Sequence, residues 1–174
     1  MANPSLGVAV IGAGMVGRAH ANAYRQAGTV YGPGLPDIRL VAIADTYEPF
    51  AAETARRFGY QRAETSWQAV AAADDIAVVS VAVANALHRE VVEGLLAAGK
   101  HVLCEKPLAP TVADGEAMVA AAEASDRSAR SGSPSAGRRR STRSGRRPAA
   151  ACSARCSTSP AATGVTTAPT RTRR

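Results

Sequence analysis

The 174-residue chain is short of cysteine: Cys104, Cys152 and Cys156 are all it has. Three thiols do not make a disulfide framework. Cys152 and Cys156 stand four apart, but no histidine follows His101 to complete a zinc site with them, so no metal is expected. No apolar run approaches the ~18–20 residues of a membrane span. The apolar stretch near the N-terminus lacks a preceding basic segment and is broken by Gly7, Gly12, Gly14 and Gly17, so it does not read as a signal peptide. A cytoplasmic location is the expectation. Aromatic residues are missing after Trp67, and the last fifty positions hold no Leu, Ile, Met, Phe, Tyr or Trp. Acidic residues nearly vanish there too: residues 125–174 carry 12 Arg against the single acid Asp126, whereas residues 1–124 carry 9 basic and 13 acidic side chains. The formal charge of +7 therefore joins an acidic part to a strongly basic one. The basic part cannot bury enough apolar surface to offset its own ordering entropy. Residues 1–124 are expected to form one compact domain, and residues 125–174 a disordered Arg/Ser/Ala/Thr-rich tail.

What is present in the first part alternates between strand and helix signals. Gly7–Ile11 is a short apolar run ending in glycines and reads as a buried strand. Met15–Ala27 follows at helical spacing, and Gly28–Asp37 is a loop by its turn residues. Ile38–Asp45 is a second strand, Pro49–Phe58 a helix with Gly59 at its end, and Tyr60–Ala63 a short third strand. Ser66 is placed to cap a helix over Trp67–Ala73. Ile76–Val83 is a buried fourth strand, His88–Ala98 a helix closed by Gly99, and His101–Cys104 a fifth strand. Thr111 with Asp114 gives a capping start to a last helix ending near Ala124. Strand and helix in this alternation imply βαβ units, right-handed crossovers and a doubly wound parallel sheet of the Rossmann type, in the α/β class.

Gly12-Ala13-Gly14-Met15-Val16-Gly17 is G-x-G-x-x-G, standing directly after a predicted strand and opening a predicted helix. Gly12 permits a tight turn, Gly14 has no side chain to keep a pyrophosphate from the backbone, and Gly17 lets the helix approach the strand closely. The helix N-terminus then offers unpaired N–H groups to phosphate. Asp45 ends the second strand, where a carboxylate accepts hydrogen bonds from the adenosine ribose hydroxyls and repels a 2′-phosphate. No arginine adjoins it, since Thr46, Tyr47 and Glu48 follow, so NAD is expected ahead of NADP. The plainer alternatives are a glycine-rich turn that binds nothing and an aspartate that only caps a loop.

His101-Val102-Leu103-Cys104-Glu105-Lys106-Pro107-Leu108-Ala109, the Gly99-Lys100 before it, and Ala84-Asn85-Ala86-Leu87-His88 one strand earlier resemble the Gfo/Idh/MocA family of NAD(P)-dependent oxidoreductases of sugars, cyclitols and related alcohols. The resemblance covers about residues 6–124. It implies that Lys106 reaches the substrate hydroxyl or carbonyl beside the nicotinamide, where a cation stabilises developing alkoxide character. It implies that Glu105 lies near the nicotinamide ribose, that Pro107 follows a cis peptide that aims Lys106, and that Asn85 and His88 form the turn at the nicotinamide end. His88 could instead simply begin a helix, and Lys106 could be a solvated lysine. Val83-Ala84 departs from the Thr-Pro usual in the family.

The resemblance also implies a second domain with an Asp-x-x-x-His pair acting as general base, and homo-oligomers built through that domain's sheet. Neither the pair nor a sixth strand is recognisable after Lys106. The tail composition is what GC-rich coding DNA gives out of frame. Sliding back by one base allows Ser131–Gly137 to encode VGFTFRR and Ser157–Ala168 to encode LHFTGRYWCDYG, so a frame change near residues 124–131 is expected. On this reading the chain is the NAD-binding portion of a dehydrogenase of sugar or cyclitol-like secondary alcohols, truncated and inactive alone. The rival reading is a stand-alone dinucleotide-binding module with a basic arm for nucleic acid. Arg138-Arg139-Arg140 and Arg146-Arg147 would neutralise phosphates, but no aromatic interleaves to stack bases, which disfavours nucleic acid as a partner.

Overall fold

A computed structural model describes residues 5–132 of the chain. Strand β1 (Ser5–Ile11) leads into helix α1 (Met15–Tyr31), followed by β2 (Asp37–Ala44), α2 (Glu48–Phe58), β3 (Arg62–Glu64) and α3 (Trp67–Ala72). Then come β4 (Val78–Val81), α4 (His88–Ala97), β5 (His101–Cys104), α5 (Val112–Ala124) and β6 (Ala129–Ser131). All pairings are parallel, in the order β3-β2-β1-β4-β5-β6. This is the doubly wound Rossmann order, and it reverses between β1 and β4. Ligands of such sheets lie outside the carboxyl ends of the strands at that reversal.

The two-residue period of β1 explains both faces. Val8 and Val10 pack with Ala21 of α1, Ile43 of β2 and Ala51 and Ala55 of α2. Ala9 and Ile11 pack on the opposite face with Val79, Val91, Leu95 and Met118, under α3, α4 and α5. The central strands are therefore apolar on both sides, as a doubly covered parallel sheet requires. Two caps form as expected. The Ser66 hydroxyl accepts the Ala69 N–H at 3.3 Å, and the Thr111 hydroxyl accepts the Asp114 N–H at 3.1 Å.

Three expectations need correction. Helix α1 does not stop at Ala27 but runs through Gly28 to Tyr31, and this extension together with a single 3₁₀ turn, Gly32–Gly34, takes up most of the predicted loop. A glycine inside a helix costs only ~1 kcal/mol. The stop comes instead at Gly32, whose φ of 66° turns the chain and whose N–H closes on the Gly28 carbonyl. The shorter β4 follows from its partners, since β1 and β5 each offer it four residues of pairing, Val8–Ile11 and His101–Cys104. Third, order does not end near residue 124. Ala129–Ser131 forms a sixth strand on the free edge of β5, with the Val102 N–H on the Ser128 carbonyl and the Gly132 N–H on the Cys104 carbonyl. The expected disorder beyond residue 132, with the arginine runs, Cys152 and Cys156, lies outside the described residues.

Candidate functional site

The glycine turn sits at the sheet reversal. Gly12 has φ 98°, its N–H reaches the Ala44 carbonyl at 2.7 Å, and a Cβ there would strike the Ala82 carbonyl. A side chain at Gly17 would collide with the Gly12 carbonyl oxygen. Gly14 differs from both: an added Cβ would meet nothing within 4 Å. Gly14 is also the N-cap of α1 and supplies no side-chain cap, so the first-turn N–H groups of Met15, Val16 and Gly17 are left without one. Met15 and Val16 stand exposed beside that opening.

Asp45 follows β2 immediately and is half-buried. One carboxylate oxygen accepts the Ala13 N–H at 2.7 Å, the other the Tyr47 N–H at 2.9 Å. The residue thus ties the glycine turn to the start of α2. Each oxygen keeps further lone pairs, since a carboxylate has about four acceptor sites. Arg18, the nearest cation in sequence to the glycine turn, is turned toward α2. Its guanidinium donates to the Ala13 carbonyl, Thr54 and Glu53, and lies 5.6 Å over the Phe50 ring.

Beyond β4 the chain makes a single 3₁₀ turn, Asn85–Leu87, before α4. The Asn85 side-chain carbonyl is buried there without a hydrogen-bond partner. His88 is fully interior. Its Nδ1 lies 3.1 and 3.2 Å from the Pro107 and Leu108 carbonyls, its Nε2 3.2 Å from that of Val83. It lines no cleft. It ties the turn after β4 to the turn after β5, closer to the helix-start alternative than to a ring facing a cofactor.

The turn after β5 has a cis peptide between Lys106 and Pro107. Lys106 is exposed, and its ammonium makes no hydrogen bond or ion pair among the described residues. Glu105 is held from two sides: one oxygen 2.9 Å from His20 Nε2, the other accepting the Lys106 N–H at 2.9 Å. The His20 contact, more than the backbone bond, holds this carboxyl below the usual range. Burial, with the Glu105 charge beside it, pushes the Cys104 thiol up to about 12, so it is no nucleophile.

Ser80, His20 and Glu105 superficially form a nucleophile, base and acid at 3.1 and 2.9 Å. Hydrolytic chemistry is excluded by burial, because Ser80 has 0% of its surface exposed and is bonded to Tyr24 at 2.9 Å. The chain's three histidines are all engaged, His101 accepting the Ser128 N–H, so none faces the glycine turn as a free base.

A cleft of about 390 Å³ opens at the carboxyl ends of β1, β2 and β4, lined by Gly12, Gly14, Asp45, Trp67, Val83 and Leu87. Its size suits a small-molecule site. A larger cleft of about 540 Å³, near Tyr24, Pro33 and Leu40, lies between the end of α1 and the start of β2, at the amino ends of the strands. None of the predicted site residues lines it. Sequence reading placed Gly12 to Gly17, Asp45, Asn85, Glu105, Lys106 and Pro107 at one edge of the sheet, and the structure does bring them there. It missed His20, Tyr24 and Ser80. Their signal was faint: one hydroxyl in the Val-Val-Ser-Val core strand, and a histidine and tyrosine four apart on one helix.

The family model described as an oxidoreductase family with an NAD-binding Rossmann fold, GFO_IDH_MocA, matches residues 6–133. A levoglucosan dehydrogenase of Pseudarthrobacter phenanthrenivorans is 41% identical over 116 residues, 66% of this chain and 29% of that protein. A D-apiose dehydrogenase of Paraburkholderia graminis is 32% identical over 115 residues, 66% of this chain and 28% of that one. Among solved structures, levoglucosan dehydrogenase in complex with NADH superposes with a TM-score of 0.69 at 35% identity, covering 72% of this chain and 34% of that one. The chain thus spans about a third of the length of the relatives it matches. With the parallel sheet, the glycine turn and the Glu105-Lys106-Pro107 turn in place, the chain belongs to the Gfo/Idh/MocA oxidoreductase family and carries its NAD-binding Rossmann domain.

Proposed function

We propose that these residues form the NAD-binding portion of a dehydrogenase acting on a sugar or cyclitol-like secondary alcohol. The observation that carries the proposal is the set of three glycines in which two are required by the fold and Gly14 alone faces open space. That opening, with uncapped N–H groups around it, fits a pyrophosphate. The buried, unpartnered Asn85 carbonyl at the next strand end fits a hydrogen-bond donor from a bound ligand. The residues present therefore suit the dinucleotide.

In this reading Ala13 to Gly17 hold the pyrophosphate, Asp45 accepts from the adenosine ribose, and Asn85, Glu105 and Pro107 shape the nicotinamide end. His88 supports that end from behind. A dinucleotide held there would supply hydride-transfer chemistry at the alcohol carbon. Lys106 stabilises negative charge on the reacting oxygen. Proton removal calls for an acceptor near neutral pKa, and the engaged histidines do not supply one. Turnover therefore requires groups beyond those described. The substrate class comes from relatives named for levoglucosan, D-apiose and inositols, all hydroxyl-rich rings or sugars.

Calorimetric titration with NAD and NADP tests the cofactor assignment. NAD should bind more tightly, and Asp45→Ala should weaken NAD about tenfold or more, the loss of roughly 1.4 kcal/mol or more. Tighter NADP binding, or an unchanged NAD affinity in the variant, would remove Asp45 from the site.

A further inference from the structure

A line of hydrogen bonds crosses the α1 face of the sheet and ends at the Lys106 turn. Tyr24 OH is 2.9 Å from Ser80 Oγ, Ser80 Oγ 3.1 Å from His20 Nδ1, His20 Nε2 2.9 Å from Glu105, and Glu105 accepts the Lys106 N–H at 2.9 Å. Its donor order follows from chemistry. The ionised Glu105 can only accept, so His20 Nε2 carries the proton it donates. In the neutral ring Nδ1 is then an acceptor, Ser80 donates to it, and Tyr24 donates to Ser80. Burial raises the Tyr24 phenol, with Ser80 partly opposing the rise, and so keeps it a donor.

Such a line is costly to build into a core. Ser80 sits fully buried among valines of a central strand, where an unpaired hydroxyl would be penalised and a fourth valine would be at home. The line reaches the Glu105 carboxylate, and Gly132 closes on that carboxylate from the end of β6: a Cβ at 132 would come within 2.8 Å of it. Glu105 is thereby fixed by α1 and by its own turn, and the absence of a side chain at Gly132 leaves the carboxylate room at the end of β6. Helix α1 opens on the glycine turn and carries His20 in its second turn, so one element serves both sites.

We propose that His20 is a positioning residue for the Lys106 turn, acting through Glu105 to fix the Lys106 backbone at the nicotinamide end of the cofactor cleft. His20 touches neither cofactor nor substrate in this role. Its contribution is order: a group held in place by its neighbours loses less freedom when a ligand arrives. The inference rests on the dinucleotide site proposed above.

Two ligands and two variants test it on the 174-residue chain. ADP-ribose shares the adenosine and pyrophosphate of NAD and lacks the nicotinamide. His20→Asn keeps a partner for Ser80 but is too short to reach Glu105; His20→Gln keeps a donor at the length of Nε2. In calorimetric titrations, His20→Asn should raise the Kd for NAD about fivefold to tenfold and change that for ADP-ribose less than about twofold, and His20→Gln should restore most of the NAD affinity. A loss of packing alone would weaken both ligands together. Equal weakening of both ligands in His20→Asn, or no weakening of either, overturns the positioning role while the site stands. Failure of the parent chain to bind ADP-ribose and NAD overturns the site itself, and this role with it.

Discussion

Two glycines of one motif should respond oppositely to the same methyl group. At Gly14 the backbone is extended, φ −69° and ψ −172°, which any L-residue adopts, and an added Cβ meets nothing within 4 Å. Replacing glycine by alanine at such a site stabilises by ~0.4–1 kcal/mol through the unfolded chain. Alanine is a poorer N-cap than glycine by a similar amount, ~0.5–1 kcal/mol. The two effects offset, so Gly14→Ala should fold within about 0.5 kcal/mol of the parent. Gly17→Ala places its Cβ on the Gly12 carbonyl oxygen, which is backbone and cannot rotate away. Overpacking of that kind costs ~1–3 kcal/mol. Urea denaturation without cofactor should therefore show a lower midpoint for Gly17→Ala and an unchanged one for Gly14→Ala. NAD titration should show the reverse emphasis, with Gly14→Ala weakening binding at least about tenfold because its methyl group stands where pyrophosphate approaches the backbone. Gly14→Ala destabilising as much as Gly17→Ala, or binding NAD as the parent does, would refute this assignment of the two glycines.

Acid stability follows from three carboxyl groups held below their usual range: Glu105 by His20, Asp75 by the Arg62 guanidinium, and Asp114 by the Thr111 hydroxyl. Depressed folded-state values mean that their contribution is complete above the unfolded carboxylate range, about pH 4, and is lost as pH falls through the lower folded values. Glu105→Gln should flatten the acid limb of a plot of urea midpoint against pH; a curve parallel to the parent's would deny Glu105 that share. Lys100, 6% exposed, donates to the Ala73 and Ile76 carbonyls. Lys100→Met should cost about 1–3 kcal/mol in urea denaturation, chiefly by leaving the Ile76 carbonyl unpaired, with NAD affinity unchanged in the folded protein. No loss of stability would show that Lys100 is dispensable to the core.

Much of the fold was legible because its determinants are local. Short apolar runs marked β1, β2, β4 and β5, and Ser66 and Thr111 marked helix starts that the structure realises with hydrogen bonds. Strand β6 was not legible: Ala-Arg-Ser carries no strand signal and pairs only because β5 presents a free edge to it. The geometry of the proposed cofactor edge was legible where one turn carries it, as in Gly12 to Gly17. It was illegible where residues distant in sequence cooperate. His20 and Glu105 are 85 positions apart, and nothing near either announces the other. The Gly99-Lys100 pair, read as part of the family resemblance, has a structural basis: the lysine donates to the carbonyl of Ala73, which caps the end of α3, and to that of Ile76. Asp45 holds two backbone N–H groups, which is the loop-capping reading, and the remaining lone pairs of its carboxylate leave the proposed ribose contact open.

The central claim is that NAD lies at the carboxyl edge of the sheet, against the glycine turn. Amide chemical-shift mapping of the isotope-labelled chain during NAD titration tests it most directly. The largest shifts are expected at Gly14, Met15 and Val16, at Asp45 to Tyr47, and at Asn85 and Lys106, with none from Gly34 to Leu40 (Pro33 and Pro36 have no amide N–H). Shifts concentrated in that second cleft, or a titration that leaves Gly14 unmoved, would contradict it.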